Sequence, residues 1–430
     1  MTVFIFLGSL IGAMALGMPI AMALLVCGVA LMLQLGTFDS QILAQNLIGG
    51  ADSFPLMAMP FFMLAGELMN AGGLSRRIIA LAVTLIGHVR GGLGYVAVLA
   101  ALVMASISGS AVADTAALAA ILLPMMKQAG YNLPRAAGLI SAGGIIAPVI
   151  PPSIGFVVFG VAAGVSITRL FIAGIVPGIV LTICYAATAV IICLKDPQAG
   201  PKGEKFPMRE KLKALLGVLP VLILFIMVLG GILFGWCSAT EGGAVGAFGA
   251  LIFLAIRKKF TWKNIVACLK ETAETTAMIF LIMIGSDILS QFFALTNISS
   301  ALATFATTAN VSPWLILMMC LLIYAILGCF VDSLPLICLL TPIFLPVIRL
   351  LGFNDMWFGV LMVMLMELGL MTPPVGMCCY VMAGITKGTT SLGEIFKGTA
   401  PFLIGILVAI VIVMLFPSLA TWLPSLIRGG

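Results

Sequence analysis

The sequence predicts an all-α polytopic membrane protein built from two inverted repeats. Each repeat should hold an arm helix, a re-entrant hairpin and a Pro-broken helix. Three observations carry this. Of 430 residues, 62% are apolar and 8% charged, whereas soluble domains carry about 25% charged residues. A Pro-Pro pair occurs twice, in Ile150-Pro151-Pro152-Ser153 and Thr372-Pro373-Pro374-Val375. Basic residues gather at the ends of apolar runs, where cytoplasmic anchors belong.

The repeats are legible as matched spacings. Asp114 to Asp332 spans 332 − 114 = 218, and Pro124 to Pro342 spans 342 − 124 = 218. Further on, Gly130 to Gly352, Asn132 to Asn354, Pro151 to Pro373 and Pro152 to Pro374 are each 222 apart, so an insertion of 222 − 218 = 4 residues reconciles the halves. Interrupted apolar segments at corresponding places in two halves point to the binding site of a secondary transporter.

Taken in order, Val3 to Leu35 reads as one long helix or two short ones meeting at Gly17-Met18-Pro19. The repeat favours two, with the N-terminus outside. The start lacks the basic n-region and small-residue cleavage site of a signal peptide. Arg76-Arg77 and Arg90 bracket too few residues for a crossing, so Ile78 to His88 is expected to be an interfacial arm helix. A hairpin follows at about 93–129. It breaks at Ser106-Ile107-Ser108-Gly109-Ser110 and returns to a basic end at Lys127, so its polar tip lies inside the membrane. Such a tip must be buried in protein or line a wet cavity. The next crossing, about 136–166, is interrupted by Pro148, Pro151 and Pro152. Proline removes a backbone donor and clashes with the preceding turn.

The first repeat thus covers 1–194 and a polar loop covers 195–214. Lys195 to Lys213 holds six Lys/Arg and Arg257 to Lys270 holds five, while Trp236 to Gly243 between them holds none. Both basic stretches are therefore cytoplasmic, flanking an out-and-back pair of crossings at about 215–235 and 238–256. The second repeat covers 215–430. It has a crossing at about 272–290, a polar arm from Thr296 to Asn310, a hairpin at about 313–349 and a broken helix at about 355–386. Each half holds an odd number of crossings, so the hairpins enter from opposite sides.

Several function classes are excluded. The net charge of +6 is spread over segment ends, which is no nucleic-acid footprint. Ten cysteines lie scattered in apolar stretches without metal-ligand spacing, and the single His88 sits at a membrane boundary. No catalytic residue or cofactor is expected. Asp114 and Asp332 lack the Gly-x-Gly-Asp context of an intramembrane aspartyl protease, whose two carboxylates share a proton.

The broken segments suggest cation chemistry. A cation shedding its water needs several oxygens, which hairpin-tip hydroxyls and the carbonyls freed by a Pro break can supply. The first half offers Ser106, Ser108, Gly109 and Ser110 against Ala147 and Ile150. The second offers Gly328 against Gly369, Thr372 and Val375. These oxygens carry no titratable proton, so Na+ is the expected coupling ion and the only metal. Asp114 and Asp332 are expected to cap the second helix of each hairpin. Glu67, Asp287 and Glu367 also fall in or near apolar stretches, where ionisable groups are costly and usually functional.

These segments resemble a known family. Met104-Ala105-Ser106-Ile107-Ser108-Gly109-Ser110-Ala111-Val112-Ala113-Asp114 and Ile145-Ile146-Ala147-Pro148-Val149-Ile150-Pro151-Pro152-Ser153 resemble the large membrane subunit of tripartite ATP-independent periplasmic (TRAP) transporters, the DctM-like family. So do Asp332-Ser333-Leu334-Pro335, Gly369-Leu370-Met371-Thr372-Pro373-Pro374-Val375-Gly376, Gly17-Met18-Pro19, Pro60 to Gly66 and Thr240 to Ala244. The resemblance covers essentially the whole chain. It looks closest to 2,3-diketogulonate-type permeases over Asn46 to Gly73 and Gly91 to Ala117. It implies Na+-coupled import of small organic acids, carboxylates or sugar acids, across the bacterial inner membrane. It also implies a periplasmic substrate-binding protein, a small four-helix membrane subunit, and an elevator motion of a transport domain against a scaffold. The bulkier Leu327-Gly328-Cys329-Phe330 tip departs from the Ser-rich first tip, so its ligation should be mainly through backbone. The alternative is a standalone ion-coupled anion exchanger of the same architecture.

Overall fold

A computed structural model describes residues 8–10, 12–14, 16–36, 38–196, 200–296, 304 and 311–426. The described chain is helical, and its only bridge outside helices joins Arg90 and Lys202. Among the described residues, seven helices are long and apolar enough to cross a membrane.

The helices are α1 (Ile20–Leu35), α2 (Ser40–Gly49), α3 (Ala58–Ala71), α4 (Leu74–Ile86), α5 (Gly92–Ser108), α6 (Ala111–Gln128), α7 (Leu133–Gly144), α8 (Ile154–Ala163) and α9 (Ile167–Lys195). After the polar loop come α10 (Met208–Leu233), α11 (Ala239–Ile256), α12 (Trp262–Thr296), α13 (Pro313–Gly328), α14 (Ser333–Leu350), α15 (Asp355–Gly369), α16 (Met377–Thr386), α17 (Leu392–Leu415) and α18 (Ser418–Leu426). Hence α5–α6 and α13–α14 are the hairpins, while α7–α8 and α15–α16 are the broken helices. Residues 16–19 form a turn, with Gly17 at φ +81°, ahead of α1. The first arm, α4, starts at Leu74 rather than Ile78, because Gly73 at φ +80° turns the chain just before it. The expected second arm lies outside the described residues, apart from Thr296 and Thr304.

The same local devices start corresponding helices. Gly130 and Gly352 both adopt φ +80°, and each is followed by an Asn N-cap. Asn132 Oδ1 accepts from Arg135 N at 3.2 Å, and Asn354 Oδ1 accepts from Met356 N at 3.0 Å. A capping Asn supplies an acceptor to amides that have no partner within the helix. Both Pro-Pro bonds, Pro151-Pro152 and Pro373-Pro374, are cis.

The structure corrects the repeat register. The helices after the two tips start from N-caps Ser110 and Asp332, and 332 − 110 = 222. They end at Gln128 and Leu350, and 350 − 128 = 222. The helices before the tips end at Ser108 and Gly328, which are 328 − 108 = 220 apart. The second tip is therefore two residues longer, and no four-residue insertion follows the prolines. Pro124 corresponds to Pro346, since 346 − 124 = 222, rather than to Pro342. Because α14 carries two prolines, matching by residue type chose the wrong one.

Polar ties fix which ends coincide. Arg135 pairs with Asp196, and Gly91 N donates to Gly200 O at 3.0 Å, so the base of the first hairpin meets the basic loop. Arg349 at the end of α14 donates to Ala163 O at 2.9 Å and pairs with Asp355 at 2.9 Å. The base of the second hairpin therefore meets the far end of α8. The 29 residues of α9 run between these ends, a distance of about 44 Å at 1.5 Å per residue. The hairpins enter from opposite faces.

The packing separates into two lateral groups. α1, α3, α10, α11 and α12 pack on one another, with α3 against α11 the most extensive pairing. The hairpins and broken helices form the other group and interlock across the halves: α16 packs on α6 and α7, and α8 packs on α14. The groups meet where α3 touches α5 and where α12 touches α14.

Candidate functional site

Each hairpin tip abuts the break of its own half. A Cβ on Gly109 would stand 2.7 Å from Pro152 O and 3.5 Å from Ser153 Cα. Gly109 also sits at φ +60°, where a side chain is strained. In the second half, a Cβ on Gly369 would overlap the Gly328 carbonyl group. At both places only hydrogen fits between two backbones, which explains why glycine stands there.

The first tip is a set of hydroxyls with defined partners. Ser106 Oγ donates to Val103 O at 2.6 Å, and Ser108 Oγ donates to Asp114 Oδ1 at 2.6 Å. Ser110 Oγ accepts from Ala113 N at 3.4 Å, which makes Ser110 the N-cap of α6. The expected capping role of Asp114 is therefore incorrect. It lies one turn inside the helix, fully buried, and anchors Ser108 instead, while its Oδ2 has no hydrogen-bond partner. A hydroxyl that gives its proton to a carboxylate keeps lone pairs for another ligand.

Within the first break, Ala147 is fully buried and Ile150 is 8% exposed. No hydrogen bond to either carbonyl occurs among the described residues. Buried carbonyls are normally paired, so these two are free acceptors. Ser153, in contrast, closes on its own break: its Oγ donates to Pro148 O and accepts from Phe156 N at 3.2 Å. Pro148 thus breaks the helix while its carbonyl is already satisfied. Ser106 and Pro152 line a small cavity of ≈ 30 Å³, walled by Phe62 on α3 and by Leu224 and Val228 on α10.

The second tip differs. Gly328, Gly369 and Val375 line a cavity of ≈ 50 Å³, together with Asp332 and Gly376. Thr372 does not line it. Its Oγ1 donates to Leu368 O at 2.7 Å, and its N donates to Gly369 O at 3.1 Å. Asp332 is the N-cap of α14, accepting from Ser333 N at 2.8 Å. Asp332 is also one of the residues that line the cavity, so an acidic residue stands beside the neutral oxygens expected there. The second break is less covered than the first: Pro373 and Pro374 are exposed, whereas Pro151 and Pro152 are buried.

One contact escaped the sequence reading. Gly66 on α3 presses on the first tip, where a Cβ would stand 3.2 Å from Ser108 Cα. Its motif, Pro60 to Gly66, was visible, but nothing local said what it faced. Glu367 on α15, expected from the sequence as an acid in an apolar stretch, is 2% exposed, and its Oε2 has no hydrogen-bond partner among the described residues. Among the described residues no group of His, Cys, Asp and Glu could hold a transition metal.

Known proteins resemble this chain over nearly its whole length. The model of the family described as "Tripartite ATP-independent periplasmic transporter, DctM component" matches residues 7–419. The 2,3-diketo-L-gulonate TRAP transporter large permease of Escherichia coli is 41% identical over 426 residues, 97% of this chain and 98% of that protein. The sialic acid TRAP transporter large permease of Vibrio cholerae is 33% identical over 427 residues, 98% of this chain and 99% of that protein. Among solved structures, the Alcanivorax borkumensis YdaH transporter superposes with a TM-score of 0.63, covering 88% of this chain and 87% of its own. At 14% identity that likeness concerns the fold alone.

Proposed function

This chain belongs to the DctM family of TRAP transporters, and from that premise we propose that it couples organic-acid import to Na+ at its two hairpin tips. It is a multi-pass membrane transporter of organic acids and not an enzyme. Within the proposal, it is the large subunit in a bacterial inner membrane, served by a periplasmic binding protein and a small membrane subunit. The solutes are carboxylates or sugar acids, the class named for its relatives.

The observation that carries the reading is the pair of tip-to-break junctions, Gly109 on Pro152 and Gly328 on Gly369. Around the first, Ser108, Ser110, Ala147 and Ile150 supply oxygens for one Na+. Around the second, the carbonyls of Gly328, Gly369 and Val375 supply them for another, with Asp332 adding charge. Na+ bound at both places would neutralise the buried Asp114 and the half-buried Asp332 and draw an anionic solute between the tips. The hairpins and broken helices would move as one body against the α1, α3, α10, α11 and α12 group. Gly66 would then be part of the sliding surface. The small residues at that contact support this, since they let helices approach closely.

Reconstitution in liposomes with the binding protein and small subunit tests the reading. Uptake should vanish when the Na+ gradient is removed. Uptake that persists without Na+ rejects the coupling, and uptake without a binding protein supports the standalone exchanger. Thr372→Ala should raise the half-saturating Na+ concentration about three- to tenfold, through loss of the Oγ1 bond to Leu368 O that holds the break beside the cavity and not through loss of an ion ligand. Its expression should be unchanged. A matching loss of expression and uptake would make Thr372 purely structural.

A further inference from the structure

A second polar feature lies far from the tips. A cavity of ≈ 370 Å³ opens between the α8–α9 turn and the α14–α15 turn, lined by Ser166, Arg169, Asn354 and Asp355 among others. Its sidedness follows from the charge pattern. α9 begins beside it and ends at Lys195, in the basic loop assigned to the cytoplasm. The cavity therefore faces the exterior.

Its charges do not balance. Asp355 is engaged by Arg349 through bonds of 2.9 Å from Nε and 2.9 Å from Nη2. Arg169 is exposed and forms no ion pair among the described residues. Two guanidinium groups thus stand against one carboxylate, already held by Arg349, which leaves the Arg169 charge at the rim. Asn354 spends its Oδ1 on Met356 N and Trp357 N, and its amide donors have no partner among the described residues. The bowl is rich in donors and wide enough for one or two side chains, but too small for a protein surface to fill except by a protruding group. Its walls come from both halves, and the Arg349 bond to Ala163 O holds them together.

We propose that this bowl is the socket in which an acidic side chain of the soluble binding protein docks, with Arg169 as its counter-charge. This deepens the transport reading and rests on the binding-protein dependence within it. A planar guanidinium pairs a carboxylate bidentately. Charges at the rim of an interface mainly set the association rate and its salt dependence.

The test uses the full transporter in liposomes, with solute-loaded binding protein titrated at two ionic strengths. Arg169→Gln should raise the half-saturating binding-protein concentration about fivefold at low salt, corresponding to about 1 kcal/mol for one exposed pair. Maximal uptake and Na+ dependence should stay unchanged. The difference should fade at about 1 M salt, where screening extends only about 3 Å. Arg169→Lys should recover most of the loss. An unchanged titration for Arg169→Gln, with wild-type uptake still dependent on the binding protein, overturns the socket and leaves the transport reading intact. A shift present with anionic lipids and absent in pure phosphatidylcholine would instead assign Arg169 to a lipid headgroup, and would overturn it too.

Discussion

Gly369→Ala is expected to remove most transport while the protein still inserts and folds. The added methyl would land on the Gly328 carbonyl group, and neither backbone can yield cheaply. The tip must retreat from the break, which opens the junction that groups Gly328, Gly369 and Val375 around one cavity. Overpacking of this kind costs about 1–3 kcal/mol. If that strain falls on the transporting state, a loss of about 1.4 kcal/mol is already tenfold in rate. Uptake per inserted molecule should therefore drop at least about tenfold. Gly393→Ala is the control, because a Cβ there meets nothing within 4 Å. Equal uptake by the two variants would show that the Gly328–Gly369 contact has no role in transport.

The second large effect is expected at Asp114. Its carboxylate is fully buried, holds Ser108 at 2.6 Å and keeps one oxygen without a partner. Asp114→Asn preserves an acceptor for Ser108 but deletes the charge, so it separates anchoring from electrostatics. The half-saturating Na+ concentration should rise at least about tenfold, since hydrogen bonds and contacts to charged groups are worth about 1.5–3 kcal/mol. Thermal stability should change little. Asp114→Ala should in addition destabilise by about 1–3 kcal/mol, because Ser108 then loses its acceptor. If Asp114→Asn leaves Na+ dependence as in wild type, the carboxylate only anchors the tip.

Both predictions rest on positions that the chain advertises unequally. Gly369 was legible as a candidate because the Pro-Pro break follows it and its half repeats the other. Asp114 was legible as an acid in an apolar stretch, yet its role was misread. An N-cap is a matter of which residue precedes the first helical turn, and Ser110 and Asp114 both lie near that point. Only the path of the chain shows that Ser110 takes the amide while Asp114 reaches back to Ser108. Thr372 shows the converse. Its neighbours line the second cavity, but its own hydroxyl turns back one helical turn to Leu368 O, and a motif cannot tell a side chain's direction.

By itself the sequence determined the class, the two halves, their opposed orientation and the four interruptions. These follow from signals local in the chain: apolar run length, basic ends, prolines without an amide proton, and glycines at the breaks. The tertiary structure decided the rest. It matched Ser110 with Asp332 and Pro124 with Pro346, pressed Gly66 onto the first tip, and placed Asp332 at the second cavity. Those relations depend on which backbones approach within van der Waals contact after packing. Pattern along a chain constrains periodicity and charge, whereas the facing of groups brought together from different helices is set by close packing in three dimensions.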